Sequence, residues 1–496
     1  MAVVEASPIT TPPARAPVAW LPVGGVAVAL AVVLAATSGR YGYHRDELYF
    51  RMLEPAWGYV DQPPFTPWLA RTLAGAFEDS LAVLRVPAVA GAVAAVVVVA
   101  LLARELGGRA GAQGLAAAAY ATSATPLIFG HTFLTASVDL VVWAAVLWLA
   151  VRALLRDPRW WVAAGAVAGL GSYNKLLVVV LLAALLAGLA AAGPRRVLGG
   201  PWIWAGAGAA LLLAAPQVVY QATHGWPQVA MGRALGGENG ADVRVEMWSF
   251  QLLALGPLHA VLWVAGAVAL WRRPAWRPLR CLVLAYPLLL AFTYVGGAQV
   301  YYATGLLAAF LAAGAVVAAG WARTTARRVA VGTLLAVDAA GAALIALPLV
   351  PVTALGGTPV PDVNQTAADS VGWPAYAAQV AAVHAALPPA DRAHAVVVTQ
   401  NYGEAGAVHR FAPHLPVYSG HNALHALGPP DADATVAVVV ADGVARWSRS
   451  FGSCEVRDRL DNGVGVDSEE QGVPVMVCRD PVGGWGAVWP RLAHLD

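Results

Sequence analysis

Three carboxylates lie close together in the stretch that follows the first long apolar run of the chain. Asp46 and Glu47 are adjacent, and Asp61 follows in the same aromatic-rich segment. Acids placed near hydrocarbon are costly to desolvate and are usually functional. Such carboxylates can remove a proton from a hydroxyl group or hold a divalent cation. The structural alternative is a solvated helix start, because acids also stabilise helix N-termini.

Two further residues with suitable chemistry stand alone in apolar surroundings. Asp139 precedes a long apolar run, so it lies near the start of a membrane helix, where capping is the alternative role. Lys175 is the only lysine among the 31 lysines and arginines of the chain. A compact ammonium group suits phosphate as a point charge. A lysine near a helix end can also extend toward the membrane interface without any catalytic role.

Four more side chains are suited to binding an anion or a sugar, and they are Arg45, His224, Tyr301 and Tyr302. Arg45 adjoins the first acid pair, whereas the other three lie in connections much later in the chain. The two adjacent tyrosines also fit an aromatic belt at the membrane interface. Their value therefore depends on whether the fold brings them to the same place as Asp46.

The elements that must position these residues are membrane helices. Hydrophobic residues make up 59% of the 496 residues and charged residues only 12%, which is far from the composition of soluble proteins. The formal net charge of +2 gives no indication of a nucleic-acid partner. We predict about eleven transmembrane helices, over residues 18–37, 82–103, 112–129, 134–153, 160–173, 175–193, 202–221, 250–271, 279–295, 301–321 and 329–350.

Arginine clusters predict the orientation of these helices. Every second connection is rich in arginine, and the positive-inside rule makes those connections cytoplasmic. They contain Arg104 and Arg109; Arg152, Arg156 and Arg159; Arg195 and Arg196; Arg272, Arg273, Arg277 and Arg280; and Arg323, Arg327 and Arg328. The remaining loops then face outward, at residues 38–81, 130–133, 222–249 and 296–300, together with the connection that holds Lys175. All the candidate site residues thus share the outer side of a multi-pass protein of the plasma membrane.

The chain divides into three parts by composition. We predict a cytoplasmic N-terminal segment over residues 1–17, a membrane core over 18–350 with its outward first loop at 38–81, and an extracytoplasmic α/β domain over 351–496. In that domain, buried strands are expected at 395–399 and 435–440 and an edge strand at 473–478, in a sheet of parallel type.

Two features of the C-terminal part leave alternatives open. Cys454 and Cys478 both lie in the outward region, where either a disulfide or two buried thiols would fit. Asn401 and Glu404, with His421 and Asn422, look like a polar cluster beside a helix start, which would contact a sugar or phosphate or simply cap the helix.

Taken in order, several motifs resemble those of the membrane-embedded C-type glycosyltransferases. The similarity is strongest to the bacterial branch of the family 39 protein O-mannosyltransferases and to the aminoarabinose lipid A transferases. The motifs lie at residues 45–49, 58–64, 174–175, 224–227, 401–407 and 419–422. Each motif is weak alone, but their order is fairly specific and they cover nearly the whole chain.

This resemblance implies a membrane core of the C-type and transfer of a mannose- or arabinose-like sugar from a polyprenyl-phosphate donor, with inversion. Asp46 would be the catalytic base or position the acceptor, with Glu47 as its catalytic neighbour and Asp139 as a second outward acid. Arg45, Asp61, Lys175, His224, Tyr301 and Tyr302 would bind substrate and phosphate. Gln62 stands where the lipid A branch has a phosphate-binding lysine, which puts direct phosphate contact there in doubt, and Lys175 could supply the charge.

The resemblance also implies the partners. They are the lipid-linked donor, an envelope lipid, glycan or protein as acceptor, and the surrounding membrane lipids. The resemblance identifies no certain cofactor, and a divalent metal on Asp46, Glu47 or Asp61 would also neutralise the leaving phosphate. Two alternatives remain, namely a polytopic transporter or flippase of lipid-linked sugars and a non-catalytic sugar-lipid binding protein. Transporters usually contain paired repeats, and none is detected in this sequence.

Overall fold

A computed structural model describes residues 12–496, so most of the predicted segment 1–17 lies outside the described residues. Among these described residues, seven helical segments are long and apolar enough to cross a membrane, and three further apolar helices are shorter. The seven are Trp20–Thr37, Leu81–Glu105, Thr135–Leu155, Pro201–Thr223, Pro274–Gly296, Thr304–Trp321 and Thr325–Ala346; the shorter three are Trp160–Gly171, Leu177–Ala192 and His259–Arg272. Each of the eleven predicted segments therefore coincides with helix, although not always with one unbroken helix.

The helices of the membrane part, in chain order, are α1 (Trp20–Thr37), α2 (Arg45–Phe50), α3 (Phe65–Ala76), α4 (Leu81–Leu84), α5 (Val86–Glu105), α6 (Ala110–Ala121), α7 (Ala124–His131), α8 (Thr135–Leu155), α9 (Trp160–Gly171), α10 (Leu177–Ala192), α11 (Pro201–Thr223), α12 (Pro227–Glu238), α13 (Gly240–Leu253), α14 (His259–Arg272), α15 (Arg280–Gly296), α16 (Leu307–Trp321) and α17 (Thr325–Ala346). Short 3₁₀ turns lie at Arg195–Gly199, Pro274–Leu279 and Thr304–Leu306.

Two predicted spans are interrupted. Residues 112–129 divide into α6 and α7, and residues 250–271 divide into the end of α13 and α14. The two breaks contact each other, because the Ala254 carbonyl accepts hydrogen bonds from the Thr125 amide at 2.9 Å and the Thr125 hydroxyl at 2.6 Å. Gly256, with φ of +106°, allows the sharp turn before α14. Apolar composition alone does not show such breaks, because each fragment remains hydrophobic.

The two ends of the helix bundle differ in charge, as the arginine pattern predicts. At one end, the buried Glu105 side chain lies within 3.5 Å of guanidinium nitrogens of Arg15, Arg152 and Arg156. Glu105 ends α5, whereas α5 begins beside the first loop at the opposite end. Connections that are far apart in sequence thus meet at a common arginine-rich end, and the candidate site residues lie at the other.

The C-terminal part is a small mixed α/β domain. Its helices are α18 (Val352–Leu355), α19 (Val360–Val363), α20 (Gln365–Ala368), α21 (Trp373–Ala385), α22 (Pro389–Arg392), α23 (Tyr402–Phe411), α24 (Val444–Trp447) and α25 (Trp485–Val488), and its strands are β1 (Ala395–Thr399), β2 (Val417–Ser419), β3 (Val436–Val440), β4 (Phe451–Arg459) and β5 (Pro474–Pro481). Further 3₁₀ turns lie at Asn422–Leu427 and Trp489–Arg491.

The sheet corrects two sequence expectations. Its strand order is β2-β1-β3-β5-β4, in which β1 pairs in parallel with β2 and β3, but β5 is antiparallel to both β3 and β4. The sheet is therefore mixed rather than parallel, and β5 is an interior strand rather than an edge. The exposed strand β4 was not predicted, because its polar residues lack the apolar run by which a strand is recognised in the sequence. Cys454 on β4 and Cys478 on β5 face each other and form a disulfide.

This domain packs directly on the first loop. Apolar side chains of α2 and of the C-terminal domain form one buried cluster, which includes Leu48, Tyr49, Trp373 and Val408. Gly406 of α23 makes the close approach possible, because a Cβ atom there would lie 2.6 Å from the Leu48 Cβ. The domain therefore covers the acid pair of the first loop instead of hanging freely from α17.

Candidate active site

Asp46 lies in the first turn of α2, next to the cap of that helix. The His44 ring accepts a hydrogen bond from the Asp46 amide at 3.1 Å, and the Glu47 carboxylate accepts one from the His44 amide at 2.8 Å. This reciprocal capping explains why a helix of only six residues begins at Arg45. The Tyr402 hydroxyl of the C-terminal domain donates to Asp46 Oδ1 at 2.8 Å. Asp46 remains partly exposed, so its second oxygen can meet a ligand.

The Glu47 carboxylate, for which the resemblance predicts a catalytic role, is fully engaged inside the protein. Both Glu47 oxygens accept from the Arg85 guanidinium at 2.9 Å, and Phe133 donates its amide at 2.8 Å. Burial raises the pKa of Glu47, but the Arg85 charge and these hydrogen bonds outweigh it and hold the pKa below its ordinary value. Glu47 is thus a buried, charged anchor for the loop.

Asp61 lies in the same loop, just before α3. Its Oδ1 atom is buried and has no hydrogen-bond partner among the described residues, and the adjacent Gln62 Nε2 atom is in the same condition. Burial raises the pKa of Asp61 to about 7, and the neighbouring charge of Asp46 adds to the effect. A buried hydrogen-bond acceptor and a buried donor without partners are unusual in a native protein, so these two atoms point to a ligand or ordered water.

The Asp61 loop is tied to the connection that holds Lys175. The Phe65 amide donates to the Tyr173 carbonyl at 2.9 Å, and the Thr66 hydroxyl donates to Asn174 Oδ1 at 2.7 Å. Asn174 is buried and donates in turn to Asp139 Oδ1 at 2.9 Å. One amide side chain therefore links the first loop to the acid at the start of α8.

Lys175 and the tyrosine pair complete this second group. The Lys175 Nζ atom donates to the Tyr301 hydroxyl at 3.1 Å, and it lies 5.0 Å and 5.1 Å from the ring centroids of Tyr301 and Tyr302. Asp139 and both tyrosines line one cavity whose empty volume is about 490 Å³, including space open to the surroundings. The interrupted helices also reach this cavity, through Thr125 and Leu255. The structure thus brings Asp139, Lys175, Tyr301 and Tyr302 together.

Two predicted binding residues lie outside this second group. The Arg45 guanidinium stands 4.9 Å from the Tyr402 ring centroid and forms an ion pair with Glu469, so it contacts the C-terminal domain beside Asp46. His224 is exposed and stacks on Tyr220, with 4.1 Å between the ring centroids. Its Nδ1 atom also contacts the Tyr220 carbonyl at 2.9 Å, which corresponds to a helix-end contact.

Several important residues were not identified from sequence. Arg85 resembles any other interfacial arginine until Glu47 is seen beside it, and Asn174 stood out only through its neighbour Lys175. Tyr402 lies within the motif at 401–407 but carries no charge. The structural reading of that motif does hold in part, because Asn401 and Glu404 form a reciprocal cap at the start of α23.

The three acids predicted as metal ligands, Asp46, Glu47 and Asp61, do not all bring a carboxylate oxygen within 4.8 Å of one another in the described part of the chain. Both Glu47 oxygens are paired with Arg85, and one Asp46 oxygen accepts a hydrogen bond from Tyr402. Among the residues described, one trio has metal-binding atoms within 4.8 Å of one another, and it consists of His421, His494 and Asp496. However, His421 Nδ1 accepts the Tyr402 amide at 3.2 Å, so in the neutral ring Nε2 carries the proton. That proton is directed at Asp496, so His421 Nε2 has no lone pair free for a metal ion.

Comparison with known proteins gives one family and one fold. Residues 61–220 match the family model described as dolichyl-phosphate-mannose-protein mannosyltransferase, a region that contains Asp61, Asp139 and Lys175 but not Asp46. No curated protein matches the sequence significantly.

Two solved structures share the fold over nearly the whole length of both chains. The structure of ArnT from Cupriavidus metallidurans bound to undecaprenyl phosphate is 16% identical, with a TM-score of 0.58 over 91% of this chain and 97% of that one. Its apo form is 14% identical, with a TM-score of 0.55 and the same coverage. One region of the chain thus matches the dolichyl-phosphate-mannose-protein mannosyltransferase family, and the whole chain shares its fold with ArnT. As its motifs predict, the chain therefore resembles the membrane-embedded C-type glycosyltransferases.

Proposed function

We propose that this protein is a glycosyltransferase that moves a mannose- or arabinose-like sugar from a polyprenyl-phosphate donor to a hydroxyl group of a cell-envelope acceptor. The reaction takes place at the outer face of the plasma membrane and inverts the anomeric centre. The family match and the shared fold support the class of reaction. ArnT, the structural relative, has been crystallised with undecaprenyl phosphate, which supports a lipid phosphate as the carrier.

One observation carries the proposal beyond resemblance. The candidate site has two halves, the first loop with its acids and the group of Asp139, Lys175 and Tyr301. The Thr66 hydroxyl of α3 donates to Asn174, which donates to Asp139, so these hydrogen bonds hold the end of the first loop against the second half. The first half supplies carboxylates, and the second supplies the only lysine of the chain beside the Asp139 carboxylate. Transfer from a phosphate carrier needs both a base for the acceptor and a cation for the leaving group.

The proposed mechanism assigns a role to each half. The free oxygen of Asp46 accepts the proton of the acceptor hydroxyl. At the same time, the oxygen of that hydroxyl attacks the anomeric carbon from the side opposite the phosphate. The bond between the anomeric carbon and the phosphate oxygen breaks, and its electron pair stays on the phosphate. Lys175 and the Tyr301 hydroxyl stabilise the charge that develops there. A single displacement of this kind inverts the configuration.

Asp61 and Asp139 stabilise the sugar rather than the phosphate. The sugar passes through a state with positive charge spread over its ring oxygen and anomeric carbon, which a nearby carboxylate stabilises. Asp61, with a pKa of about 7, can also accept or donate a hydrogen bond to a sugar hydroxyl near neutral pH. The buried Gln62 Nε2 donor beside it provides a neutral contact in place of a second lysine. Glu47 and Arg85 position the loop and take no part in proton transfer.

Reconstitution of the purified protein in proteoliposomes tests the proposal. Polyprenyl-phosphate mannose and polyprenyl-phosphate arabinose, each radiolabelled, are supplied with envelope extract from a deletion strain as the acceptor. The intact protein should transfer label from one donor, and Asp46→Asn should lose at least a hundredfold in rate while it still binds undecaprenyl phosphate. Glu246→Gln, which changes an exposed acid of α13, is the matched control and should keep full activity.

Two other outcomes would contradict the proposal. Movement of the lipid-linked sugar across the bilayer without transfer would indicate a flippase. Transfer that survives Asp46→Asn would exclude Asp46 as the base. Loss of a specific sugar from the cell envelope after deletion of the gene, measured by mass spectrometry, identifies the acceptor.

A further inference from the structure

The C-terminal domain contributes one side chain directly to the first-loop acids. The Tyr402 hydroxyl donates to Asp46 Oδ1 at 2.8 Å, although the two residues are 356 positions apart in the sequence. Among the described residues, no other side chain donates a hydrogen bond to the Asp46 carboxylate. The contact therefore fixes one oxygen of this carboxylate and leaves the other without a protein partner.

Tyr402 is held in a single orientation by rings on both sides. Its ring centroid lies 4.7 Å from that of Tyr49 and 4.6 Å from that of His421, and the Arg45 guanidinium stands 4.9 Å from its centroid. The Tyr402 amide donates to His421 Nδ1 at 3.2 Å, which ties the backbone to the same ring. A side chain enclosed in this way has few other rotamers available, so its hydroxyl stays directed at Asp46.

The protonation state of Tyr402 suits a hydrogen-bond donor. Burial raises the pKa of its hydroxyl well above the ordinary value, even though the nearby Arg45 charge acts in the opposite direction. The hydroxyl therefore keeps its proton across the neutral range. A donor at that distance from a carboxylate forms a charge-assisted hydrogen bond, which is stronger than one between neutral groups.

The docking of the two domains is close enough to transmit this geometry. Helix α23, which begins at Tyr402, packs on α2 through Gly406 and Leu48, where no side chain larger than hydrogen fits without displacement. The Ala423 amide also donates to the Tyr49 hydroxyl at 3.1 Å. Small shifts of the C-terminal domain would therefore move Tyr402 relative to Asp46.

We propose that Tyr402 is a positioning residue, by which the C-terminal domain sets the orientation of Asp46 for proton removal from the acceptor. This inference rests on the proposed transferase function, because it gives the Tyr402 contact its catalytic meaning. The domain then completes the active site instead of merely covering the membrane core. A carboxylate that is free to rotate would present either oxygen at many angles, and a misaligned base costs rate without weakening donor binding.

Tyr402→Phe removes only the hydroxyl and is the direct test in the reconstituted protein. We expect kcat to fall about tenfold, with the KM for the lipid-linked donor unchanged, because only the alignment of the base is lost. Tyr418→Phe is the matched control, because this tyrosine of the same domain packs on Trp489 and makes no hydroxyl contact with the site. An unchanged kcat would overturn the inference while leaving transferase activity intact.

A second measurement does not depend on turnover. The charge of Asp46 also acts on its neighbours His44, Asp61 and Asp369, so a change in rate alone does not isolate this carboxylate. Infrared difference spectra assign the Asp46 carboxylate band by comparison with Asp46→Asn. In Tyr402→Phe this band should shift in frequency, and a band identical to that of the intact protein would exclude the contact. If the intact protein transfers no sugar but the band does shift, the proposed function fails while the positioning contact stands.

Discussion

Glu47 and Arg85 form a fully buried, two-point ion pair, with both nitrogen–oxygen distances at 2.9 Å. Arg85 also donates to the carbonyls of Ser38 and Gly42 at 2.6 Å and 2.7 Å, on either side of the turn that follows α1. One guanidinium thus joins the end of α1, the start of α2 and the start of α5. The pair fixes the base of the loop on which Asp46 stands.

Breaking this pair should destabilise the protein strongly. Removal of one partner leaves an uncompensated buried charge, which costs about 3–5 kcal/mol. We expect Arg85→Met to lower the unfolding temperature markedly, because it leaves the Glu47 charge alone. The double variant with Glu47→Gln should recover much of the loss, since no unpaired charge then remains. Thermal unfolding in detergent of both single variants and the double variant measures the coupling. Additive effects would show that the two residues act independently.

Lys175 should control the affinity for a lipid phosphate. Lys175→Gln keeps a polar side chain of similar length but removes the charge that the proposed mechanism places beside the leaving group, so we expect the affinity for undecaprenyl phosphate to fall at least tenfold. Lys175→Arg should retain part of it, because the charge remains while the geometry changes. Thermophoretic titration with undecaprenyl phosphate measures both. Arg109→Gln, which removes an exposed cation at the arginine-rich end, is the control. Equal affinity of Lys175→Gln and the intact protein would count against the phosphate role.

Asp61 should make stability depend on pH in a defined direction. The pKa of Asp61 is about 7 in the folded protein, whereas its ordinary value, taken for the unfolded chain, is 3.8. Between pH 3.8 and pH 7 the folded state therefore binds one more proton than the unfolded state. Stability should therefore fall as pH rises through this window, by about 1.4 kcal/mol per pH unit and up to about 4 kcal/mol in total, and level off above pH 7.

Asp61→Asn removes this contribution to the pH dependence. We expect the unfolding temperature of the variant to exceed that of the intact protein at pH 8 and the difference to shrink at pH 4.5. Glu246→Gln, an exposed control, should follow the intact protein across the range. Parallel curves for Asp61→Asn and the intact protein would show that Asp61 ionises normally in the folded state.

The sequence alone determined the membrane architecture, and it named candidate residues whose roles remain predictions. Apolar runs predict helices because only a segment with internally satisfied hydrogen bonds can cross a bilayer. The arginine pattern then assigned Asp46, Asp139, Lys175 and Tyr301 to one side. The two buried strands at 395–399 and 435–440 were also recognisable, since β-branched apolar runs of that length indicate interior strands.

The tertiary structure decided which partners each of these residues has. Asp46 and Glu47 looked equivalent in the sequence, but Arg85 binds both oxygens of Glu47, whereas Tyr402 binds one oxygen of Asp46 and leaves the other free. The reason is physical, because the state of a carboxylate depends on the charges and donors around it, and these come from distant parts of the chain. Helix breaks, the mixed sheet and the contact between Tyr402 and Asp46 likewise arise from packing between segments. Local composition records which chemistry is available, and only the packed fold shows which groups face each other.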